Sequence, residues 1–391
     1  MISRLRHIAW GFLALPGLAG AQMQEVQIGL LRDLQVRHAI AMFGRGGAEV
    51  LADGRKVGEL AANDGLKIEA TASGLSAKSL SASYTARQRI TLIPKAAGSG
   101  FRLRSLDHKM TERTYPGLLE ARAVNGTMVL VNEVKLEEYV SGVVLAEAGK
   151  NEHLEYYKLQ SVSCRTYALA NLRRHAGERF ELCDATHCQV YLGRTDHEPI
   201  LQAARVTRGM VVVDADIRLI HATFHSNCGG ETMNAEDLWS KHEPYLRARR
   251  DTFCLHAPHA TWTTSMARSE WLDYLHRTFS VQTDDDKVVA VLTDHHPAAR
   301  ELFLAGVTPP IPLAKVRADR KFNSTFFSIT SQGDQVVFTG RGFGHGVGLC
   351  QEGAMVMCKA GYSFVETLHE YYTDVHLIDL SSLDFFRDEG E

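Results

Sequence analysis

The strongest constraint on this chain is a periodicity that ends at Glu147. Leu136, Tyr139, Val140, Val143, Val144 and Glu147 recur at the i, i+3, i+4, i+7, i+8, i+11 spacing of one helical face, so a carboxylate continues an otherwise apolar stripe. Glu133, Glu137 and Glu138 fall off that stripe. A lone carboxylate carried toward a core resists ionisation and its pKa rises, which suits a general acid working near neutral pH. The competing reading ends the helix at Ala148-Gly149 and leaves Glu147 a solvated acid in the cap region.

Elements are expected on both sides of this helix. Leu118 to Val124 and Thr127 to Val131 flank Asn125-Gly126, a strong hairpin signal, and the hairpin feeds directly into the stripe. A second helix is expected over about Glu155 to His175. Its inner face, with Gln160, Ser163, Arg165, Thr166 and Tyr167, is rich in polar groups that must either satisfy one another or line a cleft beside Glu147. Upstream, Val26, Ile28 and Leu30 begin a series of short alternating segments that reads as an all-β lobe through about residue 105. Downstream, strands are expected at Met210 to Val213 and at Leu219 to Phe224, the latter running into His225-Ser226-Asn227-Cys228-Gly229-Gly230. A helix follows at Ser269 to Phe279, a solvated loop at Asp284 to Asp286, and strands at Phe326 to Thr330 and Gln335 to Thr339. Helices at Gln351 to Lys359 and Phe364 to Tyr372 close the core. The expected class is α+β: a mixed core of strands and helices around a cleft, with an N-terminal all-β lobe.

The start of the chain has the order of a cleaved secretory signal: Arg4 and Arg6, an apolar run from Ile8 to Leu18, then Ala19-Gly20-Ala21. The expected divisions are 1–21 signal, 22–105 β lobe, 106–380 a mixed domain of strands and helices that carries Glu147, and 381–391 tail. No cysteine follows the cleavage point, so no lipoprotein anchor is expected. No later stretch approaches the about 20 apolar residues of a spanning helix. The net charge of −3, falling to −5 once Arg4 and Arg6 are removed, argues against a nucleic-acid partner. An exported location is expected, which for a bacterium is the periplasm or cell envelope. In such a compartment the odd count of seven cysteines leaves a thiol unpaired or assigns some to metal.

Three constellations carry chemistry. Cys183 and Cys188, with His187 between them and His175 upstream, have the donor types and spacing of a structural zinc site, with a Cys183–Cys188 disulfide as the alternative. The run Gly340-Arg341-Gly342-Phe343-Gly344-His345-Gly346-Val347-Gly348 offers no register for G-x-G-x-x-G and no G-K-[ST], so no nucleotide cofactor is expected. Its glycines instead permit a sharp turn that sets His345 into a cleft. His221 and His225 fall on one face if their segment is a strand. Cys228 and Cys254 are candidates for a disulfide. Neither G-x-S-x-G nor H-E-x-x-H occurs. Cys164, inside an apolar helix, reads as packing rather than as a nucleophile.

Four stretches, Lys135 to Glu147, Lys158 to Ala168, His225 to Thr232 and Gly340 to Ala354, together resemble the SpoIID/LytB family, over roughly residues 110 to 375. Members act on the bacterial cell wall, either as lytic transglycosylases of peptide-stripped glycan strands or as enhancers of an amidase. The resemblance implies that Glu147 is the catalytic acid, that Lys158, Arg165, Tyr167, His225, Ser226, Gly344, His345 and Gln351 meet substrate, and that the Cys183 to Cys188 segment binds zinc. It departs from the family at Cys164, Cys228, Cys350 and Glu352, and at Ala148-Gly149, where a proline is commoner. The implied activity is cleavage of the bond between N-acetylmuramic acid and N-acetylglucosamine, leaving 1,6-anhydro ends. One carboxyl suffices for that chemistry, whereas a hydrolase normally uses two; Asp184 and Asp237 are the candidates for a second. Alternatives are a non-catalytic activator of a cell-wall N-acetylmuramoyl-L-alanine amidase and a zinc-dependent amidase. The expected partners are peptidoglycan glycan strands and an envelope protein such as that amidase.

Overall fold

The structure, a computed structural model, describes residues 24–304 and 306–382. The expected signal at 1–21 and nearly all of the expected tail lie outside the described residues. The architecture is α+β. Two sheets form the N-terminal part: a seven-stranded sheet in the order Leu182–Cys183, Glu25–Leu30, Thr127–Lys135, Leu118–Val124, Arg89–Pro94, Ala48–Ala52, Arg55–Leu60, and a six-stranded sheet built from strands between His38 and Pro116. Alternation decides which side chains enter the core: Val26, Ile28 and Leu30 are buried on one side of their strand, as are Ala39, Ala41 and Phe43 on theirs.

The hairpin forms with Val124 paired to Thr127, and both turn residues are left-handed, Asn125 at φ 48° and Gly126 at φ 77°. Two positive φ values define a type I′ turn, whose twist matches that of the strands. Its second strand, Thr127–Lys135, is held on its other edge by Glu25–Leu30. The strand Glu25–Leu30 thus clamps the strand that launches the helix α1, Leu136–Ala148.

All five apolar stripe residues of α1 are buried. Gly142 is needed there because a Cβ would stand 2.2 Å from the carbonyl of Gly193, so the segment from Gln189 to Gly193 lies directly against the helix. Next comes α2, Leu154–Ala170, shorter than the expected element. Asn171 ends it, its side-chain amide donating to the Tyr167 carbonyl at 2.8 Å, and the chain then turns so that His175 faces the cysteines. Most polar residues of α2 satisfy one another internally: Gln160 donates to Tyr156, Ser161 to the Tyr157 carbonyl and Thr166 to the Val162 carbonyl.

One hydrophobic core runs from the sheets through α1 and α2 to Val375, and a second, around Trp271 and Phe338, belongs to the unit between Thr261 and Arg341. That unit is a three-stranded sheet, Thr261–Ala267, Gln335–Arg341 and Phe327–Gln332, covered by helices including Arg268–Phe279. Two local expectations differ. Asp285 is a helix cap rather than a loop residue, its carboxylate accepting the Lys287 N–H at 2.8 Å in front of helix Asp286–Thr293. The strand expected at Leu219 to Phe224 is irregular: Leu219 makes a single antiparallel bridge to Val213, and Phe224–His225 pairs in parallel with Leu349–Cys350. Among the described residues no helix is long and apolar enough to cross a membrane.

Candidate functional site

The parallel pairing of His225 with Cys350 brings the strand-end loop against the glycine-rich run, and this junction faces the C-terminal end of α1. Between them lies a cleft of about 640 Å³. Glu147, Tyr167, His225, Ser226, Gly344, His345 and Gln351 line it.

Glu147 is half-buried in the last turn of α1, and one carboxylate oxygen accepts the Val190 N–H at 2.8 Å. Burial pushes its pKa above the ordinary carboxylate value, against the smaller opposing effect of that hydrogen bond. The negative end of the helix dipole works in the same sense as burial. Gly149, at φ 70°, ends the helix as the cap reading expects, and Glu147 two residues before it is half-buried and lines the cleft.

His345 is held at both nitrogens: Nε2 donates to the Phe224 carbonyl at 2.9 Å and Nδ1 accepts the Val347 N–H at 3.1 Å. Burial lowers its pKa to about 4, so it is a neutral, fixed wall. The His225 ring lies 5.2 Å from it, Nδ1 donating to the Val347 carbonyl at 3.3 Å, while the buried Nε2 has no partner. Gly344 permits this closeness. Its φ is 118°, and a Cβ would stand 2.7 Å from the His225 Cβ. The half-exposed Trp239 packs on the other side of His345, ring centroids 5.4 Å apart, and presents an apolar face to the cleft.

Two residues implied by the resemblance lie elsewhere. Arg165 is fully buried behind α2, its Nε and Nη2 gripping the Glu137 carboxylate at 2.8 and 2.6 Å while Nη1 donates to the carbonyls of Ser161 and Met210. Lys158 pairs with Glu155 at 2.6 Å and sits over the Phe364 ring. Both point away because α2 turns only one face to the cleft, and Tyr167 occupies it. His221 lines the cleft with His225, although the regular strand that would align them does not form.

Asp184 and Asp237 are not cleft residues. Asp184 accepts the Leu31 N–H and Arg113, and Asp237 accepts the Asn234 amide. The second cleft carboxylate is Glu243, which sequence reasoning missed because it sits in an aperiodic loop. Burial opposes its charge, but Lys241, 2.5 Å away, outweighs that and leaves its pKa lowered. One acid in the cleft thus resists ionisation and the other favours it, a division that separates their chemical roles. Arg174, Lys241 and Arg317 add positive charge to the same walls.

His187 and Cys188 also line the cleft, and with His175 and Cys183 they form a group whose ligand atoms all lie within 4.8 Å of one another. His175 turns Nε2 to Cys188 Sγ at 3.4 Å and Nδ1 to the Glu178 carboxylate at 2.7 Å, the orienting contact usual for a metal-bound imidazole. Two thiols and two imidazoles fit a single tetrahedral metal ion. Four protein donors leave no open position on it, the pattern of a structural site. The segment after Cys188 carries Val190, so this group anchors the backbone that touches Glu147.

Residues 124–213, which contain α1, α2 and the Cys/His group, match the family described as Stage II sporulation protein, SpoIID. A protein of Brachyspira hyodysenteriae is 30% identical over 270 residues, covering 68% of this chain and 72% of that protein. Stage II sporulation protein D of Bacillus subtilis is 28% identical, covering 62% of this chain and 74% of that protein. The amidase enhancer of Bacillus subtilis is 25% identical over 60% of this chain, which spans only 39% of that longer protein. The chain belongs to the SpoIID/LytB family.

Proposed function

We propose that this is an exported, cell-wall-acting protein that cuts peptidoglycan glycan strands as a lytic transglycosylase. The observation that carries the reading is Glu147: a carboxyl with raised pKa, held by one backbone N–H at the edge of a cleft of about 640 Å³. In its protonated form, which burial favours, Glu147 gives its proton to the glycosidic oxygen between N-acetylmuramic acid and N-acetylglucosamine as that bond breaks. The resulting carboxylate takes the proton of the muramic 6-hydroxyl while its oxygen bonds to C1, closing a 1,6-anhydro ring. The acid ends as it began and no water is consumed.

Other cleft residues have supporting tasks. Trp239, packed against His345, offers an apolar face on which a pyranose ring can rest, and the rigid pair His225 and His345 continues the same wall. His225 Nε2 and Gln351 Nε2 are both buried without partners and stand ready for sugar hydroxyls and acetamido groups. Arg174 and Arg317 favour strands already stripped of stem peptides, because such strands carry a free lactyl carboxylate on each muramic residue. Zinc on His175, Cys183, His187 and Cys188 would supply rigidity to the cleft wall rather than chemistry.

A second reading draws on the amidase enhancer relative: a non-catalytic activator of a wall amidase, with the cleft binding glycan without cutting it. Incubating the protein with denuded glycan strands, alone and with a wall amidase, separates the two. Soluble 1,6-anhydro fragments formed without the amidase support the enzyme; intact strands together with a faster amidase would leave only the activator.

A further inference from the structure

Five of the seven cysteines fall into two groups, and the second group is unrelated to the metal site beside Glu147. Cys228, Cys254 and Cys350, with Asp251, come from three segments far apart in sequence, and all four are buried. Their three sulfurs and one carboxylate oxygen lie within 4.8 Å of one another. Cys228 Sγ is 3.4 Å from Cys254 Sγ and 3.3 Å from Asp251 Oδ2. We propose that these four side chains hold a second tetrahedral metal ion of the zinc class.

The surroundings are those of a built site. Asp251 is oriented from both sides: Oδ1 accepts the Phe253 N–H at 2.8 Å, and Oδ2 accepts the Tyr371 hydroxyl at 3.0 Å. The Cys228 backbone N–H donates to Cys350 Sγ at 3.3 Å, the kind of contact that stabilises a thiolate. Gly353 gives the helix Gln351–Lys359 its close approach, since a Cβ there would stand 2.2 Å from the Tyr371 hydroxyl and 2.4 Å from Asp251 Oδ2. Arg300 donates to the Cys228 carbonyl at 2.6 Å and brings a positive charge to the edge of a group that is anionic once its thiols ionise.

Other occupants fit less well. A sulfur separation of 3.4 Å exceeds a disulfide bond of about 2.05 Å but suits two thiolates on one ion at about 2.3 Å each. A Cys228–Cys254 disulfide would also leave Cys350 and Asp251 crowded against it with nothing to bind. Sulfur-rich tetrahedral donors select zinc or iron, and four ligand atoms this close can surround one ion but not a multi-iron cluster. On binding, each thiol releases its proton, and the ion balances charges that would otherwise repel one another in a buried space.

The site would pin the cleft floor. Cys228 lies three residues beyond His225, and Cys350 pairs with His225 and precedes Gln351. The inference stands independently of the glycan-cleavage reading, and its test reads metal, not activity. The full chain, purified without chelator and given Zn²⁺, is expected to hold two zinc ions per chain by elemental mass spectrometry. Cys188→Ser and Cys350→Ser should each hold one. Cobalt in Cys350→Ser should lose the sulfur charge-transfer absorption of the three-thiolate site and keep that of the two-thiolate site. If Cys350→Ser does not fold, thiol mapping of the wild type decides: Cys228, Cys254 and Cys350 should resist alkylation with Zn²⁺ and react after chelation. One zinc ion per chain that disappears in Cys188→Ser, or a Cys228–Cys254 disulfide in a non-reducing peptide map, would overturn the proposal.

Discussion

Replacing Arg165 with methionine separates a structural role from a substrate-binding one. The guanidinium is wholly buried and makes four hydrogen bonds, two to Glu137 and one each to the carbonyls of Ser161 and Met210. Removing one partner of a fully buried ion pair costs about 3–5 kcal/mol. The Glu137 side chain, however, is 29% exposed, so water recovers part of that loss when the arginine goes. A cost of about 2–3 kcal/mol remains. With an unfolding entropy of about 2.1 cal/mol/K per residue, a cooperative unit of this size then loses about 3 °C in Tm. Thermal unfolding at saturating zinc measures this, and a double-mutant cycle with Glu137→Gln should return a coupling of about 1–2 kcal/mol. Glycan cleavage well below Tm should stay within about twofold of wild type, because Arg165 does not reach the cleft. An unchanged Tm with cleavage or glycan affinity reduced tenfold or more would refute this reasoning and return Arg165 to the substrate.

Three further outcomes are expected. Gly344→Ala should lower cleavage at least tenfold with a modest loss of stability, since its Cβ would force His225 aside at a φ of 118°; steady-state kinetics and thermal unfolding read the two effects separately. Glu147→Gln should be more stable than wild type at pH 7 and equal to it near pH 4. A folded pKa raised by burial means that the acid's contribution is fully present below its unfolded pKa and is lost as pH rises through the folded one, which paired denaturant titrations at the two pH values would show. Chelation, or Cys188→Ser, should lower Tm by several degrees and weaken hydrogen-exchange protection of the Val190 amide, because the Cys/His group anchors that segment.

What the sequence revealed, and what it hid, follows from the range of the interactions. The α1 stripe and the Asn125-Gly126 turn depend on neighbours within a few residues, so periodicity and turn chemistry predicted both. The Cys/His group was accessible for the same reason, its donors lying between His175 and Cys188. The polar face of α2 was ambiguous because a satisfied network and a cleft lining use the same residue types. Of the expected residues, Gln160 and Thr166 bond within the helix, Ser163 Oγ is buried without a partner, and only Tyr167 reaches the cleft. His221 joins His225 at the cleft although the segment before Phe224 is irregular, so their shared side does not come from the period-2 rule of a strand. Glu243 carries no periodic signal, and its pairing with Lys241 beside the cleft is visible only in three dimensions. The Cys228, Asp251, Cys254 and Cys350 group spans 122 residues, beyond any spacing rule.

The central claim, that one carboxyl does the work of both acid and base, is tested most directly by digesting denuded strands in water enriched with oxygen-18 and weighing the products. Wild-type protein should yield 1,6-anhydro ends with no label, and Glu147→Gln should yield none, while Glu243→Gln keeps the same unlabelled product. Fragments with reducing ends carrying one labelled oxygen, lost in Glu243→Gln as well as in Glu147→Gln, would contradict the account and make the two cleft carboxylates a hydrolytic pair.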